Sequence, residues 1–220
     1  MTTIKDLLIS RRSLMVAGIM AFAVLVGMGA RSRFHAQRYR QPAFTLISQV
    51  TDINSSNPSQ QLHGQQTRYA FSDGSYHVMF NGESGTKREY FFKSGSGFFE
   101  VDGRHQQLVR NSRMSPDAGG HRPLTAQELL SDPQYIRTET LLGLTVYVMR
   151  VKDEQSGQQL ADLYFAVETG STPLKTIDYG KNGMIIGIEN PISIVFGEPN
   201  WSLRDGPAYP IVEMKTQQSK

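Results

Sequence analysis

The sequence contains no cysteine. That excludes disulfide frameworks, thiolate nucleophiles, cysteine-held metals and a lipid attached through a thioether. Its five histidines, at positions 35, 63, 77, 105 and 121, show no His-x-x-x-His or related metal spacing. A Gly-x-Ser-x-Gly nucleophile elbow is also missing. Gly82-Glu83-Ser84-Gly85-Thr86-Lys87 has the residue types of a phosphate loop in the wrong order. The working loop needs Gly-Lys-Ser/Thr opening a helix, whereas here Gly-Thr-Lys leads into a strand pattern, so a hairpin loop is the reading. Asp153-Glu154 lies in a charged turn and reads as solvated. The chain is therefore read as a non-enzyme with no cofactor and no metal.

Charge is unevenly spread. The 220 residues hold 23 Lys and Arg against 20 Asp and Glu, a net of +3. Residues 1–40 hold seven of the basic residues and one acidic residue, which leaves 16 and 19 for residues 41–220. That remainder is net negative, so a nucleic-acid-binding domain is disfavoured.

What the chain does have is one long apolar run, Ser13 to Ala30, uncharged and set between Arg11-Arg12 and Arg31. A run of about 18 residues reaches the lower limit for a membrane-spanning helix and exceeds a typical cleaved signal core. Residues 1–12 are read as a cytoplasmic basic n-region and 13–30 as an uncleaved transmembrane signal-anchor. Residues 31–42 are a basic linker, 43–200 an exported β-rich domain and 201–220 an extended tail. Ser10-Arg11-Arg12-Ser13-Leu14 carries paired arginines without the Phe-Leu-Lys ending of a twin-arginine signal, so an ordinary n-region is the simpler account. Gly27-Met28-Gly29 is the alternative cleavage site. Arg11, Arg12, Arg31 and Arg33 flank the membrane and meet lipid headgroups. The expected location is a bacterial inner membrane, single-pass, with the domain in the periplasm or outside the cell.

From Ala43 the pattern is strand, turn, strand. Ala43–Thr51 alternates, and Thr67–Phe71 and Tyr76–Phe80 flank Ser72-Asp73-Gly74-Ser75, a strong hairpin signal. Strands follow at 88–92, 98–101 and 105–111. Thr125-Ala126-Gln127-Glu128 forms a capping box that predicts one short helix, about 125–131, ended by Asp132-Pro133. Strands resume at 135–141 and 144–151, joined at Leu142-Gly143, and at 160–167, 174–179, 184–189 and 192–196, with a turn at Asn190-Pro191. About a dozen short strands imply an antiparallel meander. Alternation places Ala161, Leu163, Phe165 and Val167 inward, with Asp162, Tyr164 and Glu168 outward. Tyr90-Phe91-Phe92 and Phe98-Phe99 put rings on both faces of the sheet, so the second face contacts the helix, a loop, a partner or a cargo.

Residues 162–189 carry a resemblance. A strand leads into Glu168-Thr169-Gly170-Ser171-Thr172-Pro173-Leu174-Lys175, then a strand, then a turn at Tyr179-Gly180-Lys181-Asn182-Gly183 and a further strand. This is similar to the second half of the LolA/LolB-like periplasmic lipoprotein-carrier superfamily, and Tyr69–Phe71 and Tyr76–Phe80 around Asp-Gly resemble its first strands. The resemblance implies an unclosed, strongly curved half-barrel with a helical lid over an apolar cavity that holds acyl chains. This chain departs from the carriers in its N-terminal helix and in lacking their leading amphipathic helix.

The functional reading is an anchored, exported β-domain that binds an apolar ligand, a lipid or a lipidated segment, in the concavity of its sheet. Tyr69, Phe71, Val78, Phe80, Phe99, Leu163, Phe165, Ile186 and Ile194 are the expected apolar wall. Membrane lipid is the partner of the N-terminal helix. The rival reading is an envelope scaffold or protein-interaction module with a filled core and an envelope protein as its partner.

Overall fold

Alternating residues and tight Gly turns build one long sheet. The computed structural model describes residues 40–53, 62–111, 123–180 and 182–213. The predicted membrane segment and Arg11, Arg12, Arg31 and Arg33 lie outside them. Among the described residues, no helix is long and apolar enough to cross a membrane.

The strands are β1 (Phe44–Asp52), β2 (Leu62–Ala70), β3 (Tyr76–Gly82), β4 (Lys87–Lys93), β5 (Gly97–Asp102) and β6 (Gln107–Asn111). After one helix, α1 (Ala126–Ser131), come β7 (Tyr135–Leu141), β8 (Leu144–Lys152), β9 (Gln159–Ala166), β10 (Pro173–Tyr179), β11 (Ile185–Phe196) and β12 (Ile211–Glu213). They form one twelve-stranded open sheet in the order β12-β6-β5-β4-β3-β2-β1-β11-β10-β9-β8-β7. Two meanders, β1 to β6 and β7 to β11, are joined by the antiparallel β1–β11 pair. Among the described residues, the expected mainly-β curved sheet with one short helix is what forms.

The turns follow from their residues. In the β2–β3 hairpin Gly74 adopts φ +84°, and the Asp73 side chain accepts from the Ser75 amide at 2.9 Å. Leu142 and Gly143 both have positive φ between the paired Leu141 and Leu144. That is the geometry a two-residue turn needs to match strand twist. Thr125 caps α1 through the full capping box with Glu128.

Three expectations are corrected. Asn190-Pro191 does not turn the chain, and β11 runs through it. The register shifts between Ile47 and Ser48, so that Ile192 is an extra residue opposite the β1 ladder. A bulge is one of the few sheet positions that tolerates a proline, which has no N–H to give. Second, Asp162 is buried, at 2% exposure. It points away from Leu163, as alternation requires, but Arg150 grips both of its oxygens at 2.9 Å, and Gln159 and the Tyr179 hydroxyl also donate to it. Tyr164 is buried too. Third, Val167 is exposed, because the strand ends at Ala166 in a 3-10 turn, Val167–Thr169, which breaks the alternation.

Residues directly opposite in antiparallel pairs share a face. One row runs Asp52, Gly187, Asp178, Ala161, Val151; the next runs Val50, Glu189, Thr176, Leu163, Met149. At the β8–β9 end of these rows the face is covered by α1: Leu129 packs with Tyr147, Met149, Val151, Ala161, Leu163 and Phe165. We term this the inner face. On the outer face of β4 to β6, Phe91, Phe99 and Leu108 form a cluster under Tyr209. The segment after β11 straps this face. Trp201 lies on Phe71, Arg204 pairs with Asp73, and β12 pairs parallel to β6. The predicted tail therefore includes a 3-10 turn (Trp201–Leu203) and a strand.

Candidate functional site

Between α1 and the free end of the sheet, no described element covers the inner face. There β1 to β5, β10 and β11 curve around a cavity of about 180 Å³. Val50, Leu62, Val78, Tyr76, Tyr90 and Phe98 supply apolar side chains to its wall. Two stacked ring pairs stiffen one side, Tyr76 on Phe92 at 5.4 Å and Tyr90 on Phe98 at 5.8 Å. Burial pushes the Tyr76 phenol well above its usual range, and burial, followed by the Glu100 charge, raises that of Tyr90. Both stay neutral at physiological pH and serve as largely apolar surfaces.

Polar groups line the floor. Arg68 reaches from β2 across β1 to Glu189 on β11, with Nη2 3.1 and 3.0 Å from the two carboxylate oxygens. Its Nη1 donates to the Pro173 carbonyl, and Gln66 donates to Glu189 at 2.8 Å. This ion pair is half-buried and its hydrogen bonds are well satisfied, so it ties β2, β10 and β11 together and leaves little net charge. Asp178 differs. It faces Asp52 across Gly187 and has no hydrogen-bond or ion-pair partner among the described residues. Burial, then the charges of Glu189 and Asp52, push its carboxyl up from 3.8 to about 7. A strongly shifted acid in an open groove marks a functional-site candidate.

The nine residues expected to form one wall are divided. Val78 lines the groove, and Phe80, two residues on, shares its face and is buried. Leu163 and Phe165 lie on the inner face but beneath α1. Ile194 pairs with Leu46 and packs on the cluster that holds Phe44 and Leu46. Tyr69 and Phe99 are on the outer face, in a ring series running Tyr69, His77, Phe91, Phe99. Phe71 is covered by Trp201, and Ile186 abuts Gly180. Sequence reasoning missed Leu62, Tyr76, Tyr90, Phe98 and the Arg68–Glu189 pair. The signal for the rings was present in Tyr90-Phe91-Phe92 and Phe98-Phe99, where one ring of each neighbouring pair must face the groove. Nothing local to Arg68 foretold a partner 121 residues away. Among the described residues there is no cluster of three or more metal-ligating side chains.

Solved structures of similar architecture exist. That of an uncharacterized conserved protein from Thermus thermophilus superposes with a TM-score of 0.50 at 12% identity, over 81% of this chain and 93% of that one. MucB, in its complex with MucA from Pseudomonas aeruginosa, aligns at TM-score 0.47 and 17% identity, over 79% of this chain and 58% of that one. A LolA superfamily protein from Nitrosomonas europaea aligns at TM-score 0.38 and 11% identity, over 76% and 91%. A member of the superfamily that the sequence resembles is among these structures. At these identities the likeness is one of fold. No protein-family model matches the chain, and no curated protein matches it.

Proposed function

We propose that this chain is a membrane-anchored, exported binding domain whose inner-face groove takes the apolar part of a lipid or of a lipidated segment. One observation carries the reading: the inner face is closed by α1 over β8 and β9 but open over β1 to β5, where it exposes aliphatic and ring surface. A folded domain leaves such a concavity unfilled at a cost, because interiors otherwise pack to crystal-like density.

Its size sets the strength of binding. An apolar cavity of about 150 Å³ holds a benzene-sized group, about six heavy atoms, and this one, at about 180 Å³, holds a segment of that size. Burying about six methylenes at ~0.8 kcal/mol each gives about 5 kcal/mol, a dissociation constant of roughly 0.2 mM. That is too weak to extract lipid from dilute solution. It suits a domain tethered at a membrane, where the effective concentration of lipid is high. Arg68 and Glu189 neutralise each other beneath the chain, and Asp178 meets its polar end.

The test uses the full chain in lipid nanodiscs doped with a phospholipid whose acyl chain carries a photoactivatable diazirine. Label should map to peptides containing Leu62, Val78, Tyr90 and Phe98, as well as to residues 13–30. Val78→Trp should fill the groove and remove only the first set. Label confined to residues 13–30 in the unaltered chain would refute the reading. A protein-interaction role would then lead, supported by β7, which ends the sheet with no strand on its outer side among the described residues.

A further inference from the structure

The end of the sheet where the chain enters carries an apolar patch that the fold does not cover. Val195, Phe196 and Trp201 are 66, 46 and 47% exposed. Val195 and Phe196 are successive residues at the end of β11 and so point to its two faces, and Trp201 lies on the segment that follows. The Gly197 amide donates to the Ala43 carbonyl, the Gln41 amide donates to the Ser72 carbonyl, Phe196 meets Phe44 at 6.4 Å and Trp201 meets Phe71 at 5.5 Å. The incoming chain is thus fixed to the domain at the patch itself.

What precedes it limits what can lie against it. Residues 31–40 connect the uncharged run 13–30 to this point and include Arg31, Arg33, Arg38 and Arg40. Ten residues span at most about 35 Å when fully extended. The twelve residues of β11 span about 36 Å at ~3.3 Å per step. A second exposed cluster, Ile53, Met184 and Ile185, lies at the far end of that strand. With residues 13–30 in a bilayer, the far end could face the lipid only with the linker stretched to its limit. The near end faces it with slack to spare.

The chemistry of the patch fits a bilayer surface. An indole and a phenyl ring beside an aliphatic side chain suit the headgroup level. Arg204 stands 5.3 Å over the Trp201 ring while paired to Asp73. Glu198 and Asp205 are exposed on the same segment as Arg204, so the patch has no strong charge of either sign. Contact would be driven by apolar burial and not by attraction to anionic lipid.

We infer that Val195, Phe196 and Trp201 are the surface on which the domain rests on the membrane, an inference that depends on reading residues 13–30 as a membrane segment. The register adds a consequence. Phe196 opens a cross-strand row that continues through Phe44, Ala70, Tyr76, Phe92 and Phe98. Ala70, Tyr76 and Phe98 line one end of the groove. Resting on this patch brings the apolar end of the groove toward the bilayer and leaves Asp52 and Asp178 at the distal end.

Trp201 is the sole tryptophan of the chain, so its fluorescence reports this patch alone. The full chain is reconstituted in phosphatidylethanolamine–phosphatidylglycerol vesicles with and without a lipid bearing a nitroxide on its headgroup. Emission should fall by about half or more with the nitroxide, since an indole at the interface lies in contact range. Val195→Ser combined with Phe196→Ser should relieve most of that quenching, whereas Met184→Ser with Ile185→Ser should not. A chain that floats with the vesicles while Trp201 stays unquenched overturns the resting surface and leaves the anchor standing. Equal relief by both pairs also overturns it. A chain that does not float removes the membrane segment, and the resting surface with it.

Discussion

Replacing Asp178 with asparagine should stabilise the domain above neutral pH and leave it almost unchanged in mild acid. Asp178 lies in the groove beside Asp52 and Glu189, and burial together with those charges raises its carboxyl from 3.8 to about 7. The sign follows from proton linkage. Between those two values the folded chain holds a proton at this site that the unfolded chain has lost, so stability falls as pH rises. Below the unfolded value both states are protonated and nothing is lost. Above the folded value both are ionised and the full penalty applies. A shift of about three units at ~1.4 kcal/mol each amounts to roughly 4 kcal/mol, an upper figure because water and side chains relax around the charge. Asparagine keeps the shape and removes the proton. Urea unfolding of the full chain in nonionic micelles, followed by circular dichroism at about pH 4, 6 and 8, measures the gap between the two proteins. The gap should open with rising pH. A gap constant across that range would show that Asp178 ionises as an ordinary surface carboxylate, and the account of the groove floor would be wrong.

Two further outcomes test the packing. Phe165→Ala, beneath α1, should cost about 3–5 kcal/mol. Asp162→Ala should also be costly, about 2–3 kcal/mol, because it strips the bidentate partner from Arg150 and two further donors; chemical denaturation of both variants checks whether the two effects are comparable. Gly206→Ala should loosen the strap by about 1–3 kcal/mol, since its β-carbon would fall 2.7 Å from the Phe91 ring at φ +64°. Hydrogen exchange should show that loss as faster opening of Ile211–Glu213 before the rest of the sheet, and uniform exchange would contradict it.

Local chemistry made most of the elements legible. Asp73-Gly74 can hardly be anything other than a turn between alternating runs, and Thr125 with Glu128 writes the start of α1 into four residues. These signals act within a few positions, so the sequence exposes them directly. Pro191 misled because a proline breaks a regular ladder, while a bulge, which depends on the strand across from it, accommodates one. Asp162 misled for a similar reason. A charged residue alternating with leucine and phenylalanine reads as solvent-facing, and only the neighbouring strands bring Arg150 and Tyr179 over it.

The groove itself shows where sequence reading reaches its limit. Alternation assigns residues of one strand to two faces but does not say which face closes. That ambiguity is harmless when one face is polar. Here β3 to β5 offer apolar groups to both sides: Phe91 and Phe99 go under the strap, and Tyr90, Phe92 and Phe98 go to the inner face. The deciding elements, α1 and the segment after β11, are distant in sequence from the strands they cover. Both were legible as elements, but neither carried a mark of the face it would take. Once they are in place the outcome is forced. The strap occupies the outer face of β4 to β6, and α1 is only six residues long and covers β8 and β9. A helix of six residues spans about 9 Å, whereas strands lie about 4.8 Å apart. It can roof two or three strands of a twelve-stranded sheet. Among the described residues, the open apolar surface over β1 to β5 thus follows from a lid too short for its sheet, a helix that stops at Asp132-Pro133.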